Sequence, residues 1–237
     1  MITNEKTIEK SIDVINTIDT SSYYYVPKKT AEKSSMYYLV KRAFDIVVSM
    51  IGIVVSLPIL IVVSILIKLE DNGNVLYKHQ RVGKDGKPLY MYKFRSMKKL
   101  DKPLEEILTP EQLYQYRTEF KIDNDPRITK IGSVIRKTSI DELPQLFNIL
   151  LGDMSLVGPR PITKEEVELY GKDKSLLLSV KPGLTGYWQA YGRNNVTYES
   201  GERQKMELYY CNNQSLVFDV KILFKTVVSV IKKDGAQ

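Results

Sequence analysis

Between Asp123 and Pro161 the chain sets two adjacent carboxylates, Asp141 and Glu142, among cations: Arg127, Lys130, Arg136 and Lys137 lie before them and Arg160 after. An ionised carboxylate can attack phosphorus, and nearby guanidinium groups favour the ionised form. Two neighbouring carboxylates can also hold Mg²⁺, which prefers oxygen ligands and bridges diphosphates. The same residues have a purely structural reading. Ser139 and Glu142 stand at capping-box spacing, acids in a first turn suit the helix dipole, and Pro144 must lie in that first turn, which also lets Asp141 itself be the cap. Both readings share a helix N-terminus ringed by arginines, a geometry that binds phosphate.

Other candidates lie on either side. Arg160 stands between Pro159 and Pro161, where a stiffened backbone can present a guanidinium for bidentate phosphate binding; a plain turn is the alternative. Lys93 and Arg95 alternate with Tyr90, Tyr92 and Phe94, which makes one face of a strand basic, either to meet an anion or simply to be solvated. The stretch Lys181-Pro182-Gly183-Leu184-Thr185-Gly186-Tyr187-Trp188-Gln189, with Gly192-Arg193-Asn194 beyond it, is glycine-rich and aromatic and could line a nucleotide pocket. Neither a Walker A sequence nor GxGxxG is present, so the ordinary ATP and dinucleotide folds are not supported.

Composition narrows the chemistry further. The single cysteine, Cys211, allows no intramolecular disulfide, zinc knuckle or CxxC pair, and the single histidine, His79, removes Ser-His-Asp triads and most histidine acid/base schemes. Catalysis must then run on carboxylates, lysines, arginines or tyrosines. A formal charge of +7 points to an anionic partner without separating nucleic acid, nucleotide and anionic lipid.

The elements that must position these residues are legible in outline. Residues 1–36 are polar and read as a tail rather than a signal peptide. From Ile46 to Ile67 no residue is charged, a run of about 22 residues that at ~1.5 Å each can cross a hydrocarbon core of ~30 Å. Pro58, with Gly52 before it, predicts a bend in that segment. Basic residues flank both ends, Lys28, Lys29, Lys33, Lys41 and Arg42 before and Lys68, Lys78, Arg81, Lys84 and Lys87 after, which suits a helix that enters and leaves on one side. A proline-kinked span is the open alternative. A hairpin follows, Val75–Val82 and Leu89–Met97 around Gly83–Pro88. Thr109-Pro110-Glu111-Gln112 predicts a helix over about 110–121, and Thr163–Glu166 predicts another that ends at Gly171. Leu216–Lys233 reads as a basic amphipathic helix, for an anionic membrane surface or for packing on the domain. The fold class is mixed α/β, helix-rich, with a membrane segment over 37–70 and one small catalytic domain over 71–237.

Taken in order, Lys41-Arg42-Ala43-Phe44-Asp45, Arg81-Val82-Gly83, Tyr92-Lys93-Phe94-Arg95-Ser96-Met97, Asp125-Pro126-Arg127, Asp141-Glu142-Leu143-Pro144-Gln145, Gly152-Asp153-Met154-Ser155, Gly158-Pro159-Arg160-Pro161 and Lys181-Pro182-Gly183-Leu184-Thr185-Gly186 closely resemble the bacterial sugar transferase family, the monotopic polyprenyl-phosphate phosphoglycosyl transferases. The resemblance runs from about residue 37 to 233 and looks like the minimal catalytic form. It implies a two-step reaction at the cytoplasmic face of a bacterial plasma (inner) membrane, early in surface polysaccharide synthesis. An aspartate attacks the β-phosphate of a UDP-sugar and expels UMP, and undecaprenyl phosphate then takes the phosphosugar. Asp141 matches the nucleophile and Glu142 its partner, associated with Mg²⁺. Arg136, Arg160 and Arg193 match family arginines implicated in phosphate or nucleotide contacts, and Lys93 or Arg95 falls in a further basic motif. The family's re-entrant helix breaks near a Ser-Pro pair; here Leu57 precedes Pro58 and Ser56 lies one residue earlier. Glu207 stands where the family often carries an aspartate, and the resemblance gives it no role.

Two other readings fit parts of the chain. An ordinary membrane-bound glycosyltransferase would release UDP instead of UMP. A membrane-tethered basic module would bind nucleic acid or anionic lipid, but such a binder has no need of a carboxylate pair among its cations, so nucleic acid is not an expected partner. The expected partners are UDP-sugar, undecaprenyl phosphate and anionic membrane lipids, and a homo-oligomer is compatible with all of this.

Overall fold

The computed structural model describes residues 33–99, 102–120, 122–192 and 196–231. Most of the N-terminal tail and Arg193 therefore lie outside the described residues. A long helix α1 (Ser35–Asp71) opens the fold and is the one described helix long and apolar enough to cross a membrane. Ser34 caps it through a bond from the Tyr37 N–H, and Asn72, in the left-handed region, ends it. Helical structure runs through Pro58 without a separate second helix. The proline ring leaves the Val54 carbonyl without its usual donor. Ser56, two residues before the proline, bonds Ile53 O at 3.3 Å, so its hydroxyl does not replace that donor.

The rest of the fold packs along α1 from Lys41 to Ile67. Lys41, Asp45, Ser49, Ser56, Leu60, Val63 and Ile67 are buried, and a Cβ on Gly52 would touch the Leu146 side chain at 3.2 Å. The opposite face leaves Val47, Met50, Ile51, Val54, Val55, Ile61 and Val62 exposed. Three of the flanking cations that suggested a basic surface are spent inside the protein. Lys41 Nζ donates to Asp219 Oδ2 (2.6 Å) and Val157 O (2.9 Å), Arg42 donates to the carbonyls of Ile149 (2.6 Å) and Leu150 (2.8 Å), and Arg81 pairs with Glu166 (2.7 Å). Sequence spacing shows a charge but not its partner, so these three do not argue for membrane sidedness.

The hairpin forms as β1 (Leu76–Val82) and β2 (Pro88–Phe94), with His79 opposite Met91 and Tyr77 opposite Lys93. Its turn carries Asp85 and Gly86 at positive φ, 58° and 75°. The expected second strand is shorter than Leu89–Met97, because the chain turns off at Arg95 and Met97 bridges Ile128 instead. Helix α2 (Pro110–Glu119) has its capping box, Thr109 with Gln112. Helices α3 (Lys130–Lys137) and α4 (Gln145–Leu151) bracket the acidic turn, and β3 (Ser155–Val157) follows. The Thr163–Glu166 box starts α5 (Lys164–Glu168), which ends before Gly171; α6 (Lys174–Leu178) comes next. Strand β4 (Gly183–Thr185) pairs in parallel with β3, and α7 (Tyr187–Tyr191), α8 (Glu202–Asn213) and α9 (Leu216–Ile231) complete the chain.

The main core gathers β1, β2, α4, β3, α6, α8 and α9 around Ile149, Met154, Val167, Tyr210 and Ile222, all fully buried. A second cluster joins Leu60, Val63 and Ile67 of α1 to Phe94 and Ile135. The glycines of the Gly158-Pro159 and Pro182-Gly183 segments allow backbones to meet: a Cβ on Gly158 would lie 2.3 Å from Lys181 O and one on Gly183 2.1 Å from Gly158 N. In their place run the bonds Gly158 N–H to Thr185 O and Gly183 N–H to Pro159 O, both 2.9 Å. Helix α9 divides its faces: Asp219 and Ile222 are buried, while Val217, Val220, Phe224 and Val227 form an exposed apolar stripe.

Candidate active site

The acidic pair sits on a single 3₁₀ turn, Ile140–Glu142, entered through Ser139 at φ 55°. Ser139, whose spacing from Glu142 offered a capping box as one reading, makes no side-chain cap bond; it takes the left-handed conformation, and Pro144, not Ser139, precedes α4. The carboxylates therefore precede the helix instead of occupying its first turn. What fixes the turn is apolar: Ile140 and Leu143 pack on the Leu60, Val63, Ile67, Phe94 and Ile135 cluster. The turn thus packs on β2 and α3, in a cluster that α1 shares through Leu60, Val63 and Ile67.

Lys93 reaches the pair from β2. Its Nζ is 2.8 Å from Glu142 Oε1 and 4.0 Å from Asp141 Oδ2. Buried Asn148 on α4 locks this approach, accepting from Tyr92 N–H (2.9 Å) and donating to Tyr90 O (2.8 Å), so the strand carrying Lys93 cannot slide past the turn. Arg136 on α3 and Arg160 beyond β3 lie close enough for their charge to act on Asp141. Arg160 is held from two sides: its backbone N–H donates to Glu207 Oε2 at 3.1 Å, and its guanidinium lies 5.8 Å from the Trp188 ring. Of the residues singled out from sequence, Asp141, Glu142, Lys93, Arg136 and Arg160 converge. Arg95 does not; it donates to Asp71 Oδ2 at 2.7 Å, at the end of α1. Ser56 and Pro58 lie in α1.

Burial pushes the Asp141 carboxyl above the usual carboxylate range; Lys93, Arg136 and Arg160 pull it down and Glu142 pushes it up. The expectation that flanking cations dominate is thereby reversed, because only 8% of the residue is exposed and lost hydration outweighs the cations. Lys93 is the strongest of the opposing charges. Lys93→Met is expected to move the acid limb of the pH–rate profile to higher pH and to lower kcat/KM at neutral pH by ~10²-fold, as for other transition-state charges. An acid limb that stays in place would show that Lys93 does not act on Asp141.

Sequence reasoning missed a second buried polar group beside the first. Glu166, read only as a capping residue, accepts from Thr163 N–H (2.7 Å), Arg81 Nη1 (2.7 Å) and Tyr198 OH (2.8 Å). Arg203 is stacked between Trp188 and Tyr198, 4.1 Å and 3.8 Å from their ring centres. Burial drives the Glu207 carboxyl up to about 7. The capping box was the one local signal in this group; the other partners are separated by 30 or more residues, and no spacing pattern reports them.

The pair offers two carboxylates, enough for Mg²⁺ when substrate phosphates supply further oxygens, so Asp141 and Glu142 fit a phosphate-assisted ion. No group of three or more His, Cys, Asp or Glu that could cage a metal occurs among the described residues.

The family model described as bacterial sugar transferase matches residues 36–233. Over 214 residues the chain is 45% identical to an undecaprenyl-phosphate galactose phosphotransferase of Salmonella typhimurium, covering 89% of this chain and 44% of that protein. It is 37% identical over 208 residues to a UDP-glucose:undecaprenyl-phosphate glucose-1-phosphate transferase of Escherichia coli K12, covering 85% and 42%. With the exopolysaccharide production protein ExoY of Rhizobium meliloti it shares 39% identity over 223 residues, 93% of this chain and 98% of that one. The chain thus spans less than half of the first two relatives and nearly all of the third. A match that covers the Gly158-Pro159 and Pro182-Gly183 segments, the acidic turn and α1 places this chain in the bacterial sugar transferase family.

Proposed function

We propose that this chain transfers a hexose 1-phosphate from a UDP-sugar to undecaprenyl phosphate, at the cytoplasmic face of a bacterial plasma membrane, as an early step in surface polysaccharide synthesis. The observation that carries the reading is a buried carboxyl, Asp141, within reach of the charges of Lys93, Arg136 and Arg160, on a turn that packs into a cluster shared with the apolar helix α1. An Asp141 carboxylate oxygen bonds to the β-phosphorus of the UDP-sugar. The bond from that phosphorus to the bridging oxygen breaks, and UMP leaves with the oxygen. A phosphate oxygen of undecaprenyl phosphate then attacks the same phosphorus, and the bond to Asp141 breaks to restore the carboxylate. Lys93, Arg136 and Arg160 hold the phosphoryl oxygens in line, and one anion pocket serves both substrates in turn. Asp141 and Glu142 would hold a Mg²⁺ ion, which would supply charge neutralisation for the phosphates.

The contacts of α1 support a re-entrant course, with Ser56 and Pro58 at its turning point in one leaflet. Its start is tied to the domain through Lys41 and Asp45, and its end through Glu70 to the Lys130 N–H (2.8 Å) and through Asp71 to Arg95. A simple span would carry these ends to opposite sides of a ~30 Å core. The exposed stripe of α9, with Lys221 and Lys225 beside it, suits the surface of an anionic bilayer. Incubating purified protein with a panel of UDP-sugars, undecaprenyl phosphate and Mg²⁺ tests the activity. UMP release and a phosphosugar mass on the intact chain are expected; UDP release would make the chain an ordinary glycosyltransferase.

A further inference from the structure

His79, the chain's one histidine, is not needed by the reaction above, yet its surroundings fix it more closely than a filler side chain requires. It lies on β1 opposite Met91, and Lys93 is its diagonal neighbour on the same face, two residues further along β2. Diagonal cross-strand side chains are within reach of one another. Arg81 projects from that face too, and its Nη2 is 3.4 Å from His79 Nδ1. A guanidinium only donates, so Nδ1 must accept and the ring proton of the neutral imidazole sits on Nε2. Arg81 cannot swing aside, because Nη1 is bonded to Glu166, itself fixed by Thr163 N–H and Tyr198 OH. Nε2 has no hydrogen-bond partner among the described residues. Burial, helped by Arg81 and Lys93, pushes the imidazole down to about 4, so it stays neutral at physiological pH.

We propose that His79 contacts the substrate, its Nε2–H donating a hydrogen bond to a phosphoryl oxygen of the nucleotide diphosphate beside Lys93. The contact deepens the transfer reading above and rests on it for the identity of the diphosphate. The chain Thr163/Tyr198–Glu166–Arg81–His79 is what makes the donor rigid: a capping glutamate orients an arginine, and the arginine selects the tautomer. A neutral donor adds direction to the site without adding a further charge next to Lys93 and Arg160.

The test uses the full chain in detergent micelles with ¹⁵N-labelled histidine, whose single residue needs no assignment. Long-range ¹H–¹⁵N correlations are expected to show the Nε2–H tautomer across neutral pH, and the Nε2–H proton is expected to move on addition of UDP but not of uridine. His79→Ala is expected to lower kcat/KM for UMP release about 10- to 100-fold, within the range for lost charge-stabilising donors. His79→Gln, whose amide supplies one acceptor and one donor, is expected to stay within about threefold. An Nδ1–H tautomer, an Nε2–H signal that UDP leaves in place, or a His79→Ala chain with wild-type kcat/KM would each overturn the proposal. If UDP moves the signal but no UDP-sugar yields UMP, the contact stands and the transfer reading alone fails.

Discussion

Replacing Asp141 by Asn is expected to lower UMP release by about 10⁴-fold or more, the scale on which enzymes lose activity with their nucleophile, while leaving the protein at least as stable as the parent. The loss of activity follows from the proposed reaction, in which an amide could not form the bond to phosphorus and no phosphosugar mass should appear on the chain. The stability expectation follows from the direction of the Asp141 shift. Its folded carboxyl lies above the ordinary value, chiefly through burial, so the folded chain holds the proton more tightly than the unfolded one. The group's contribution to folding is then complete below the ordinary carboxylate value and is lost as pH rises through the raised one. Once ionised, the carboxylate opposes folding, and the neutral amide removes that cost, a trade of stability for activity common at active sites. Thermal melts at pH 7 and membrane fractionation check this: α1's exposed apolar face does not involve residue 141, so membrane association should persist. A Tm several degrees below the parent would show that the carboxylate was stabilising.

Lys41→Ala is expected to produce the largest loss of stability. Lys41 joins α1, β3 and α9 through Asp219 and Val157 O, and Tyr210 OH donates to Asp219 Oδ1 at 2.7 Å. The Lys41 and Asp219 side chains are only 11% and 6% exposed. Removing one member of a buried pair strands the other, at a cost of roughly 3–5 kcal/mol. At about 2–4 °C per kcal/mol for a chain of this size, that corresponds to a Tm lower by about 6–20 °C. Burial already raises the Asp219 carboxyl, and without Lys41 it can relieve itself by taking a proton, so the penalty should shrink as pH falls. The double change Lys41→Met with Asp219→Leu should cost less than the two single changes together, because neither charge is left alone. An unchanged Tm in Lys41→Ala would mean that water reaches the pair.

The residue types and local spacing carried a definite share of this protein. The uncharged run in α1, the boxes at Thr109 and Thr163, the hairpin and the two faces of α9 all depend on neighbours within a few positions, and all form, with only the end of the hairpin's second strand cut short at Phe94. Asp141, Glu142, Lys93 and Arg160 stand in the ordered motifs and Arg136 among the cations just before the acidic pair, and the fold brings all five together. The direction of the Asp141 shift was not legible, because burial is set by residues from α1 and β2 that no local window contains. Arg95 alternates with its neighbours exactly as Lys93 does, and only the turn of the chain after Phe94 sends one to Glu142 and the other to Asp71. Lys41, Arg42 and Arg81 look like surface charges until α9, α4 and α5 supply their partners. Glu166 looks like a cap until Arg81 and Tyr198 arrive from distant parts of the chain. Hydrogen bonds within a turn or a helical step are written in consecutive residues; desolvation and buried ion pairing belong to surfaces that exist only once the chain has closed on itself.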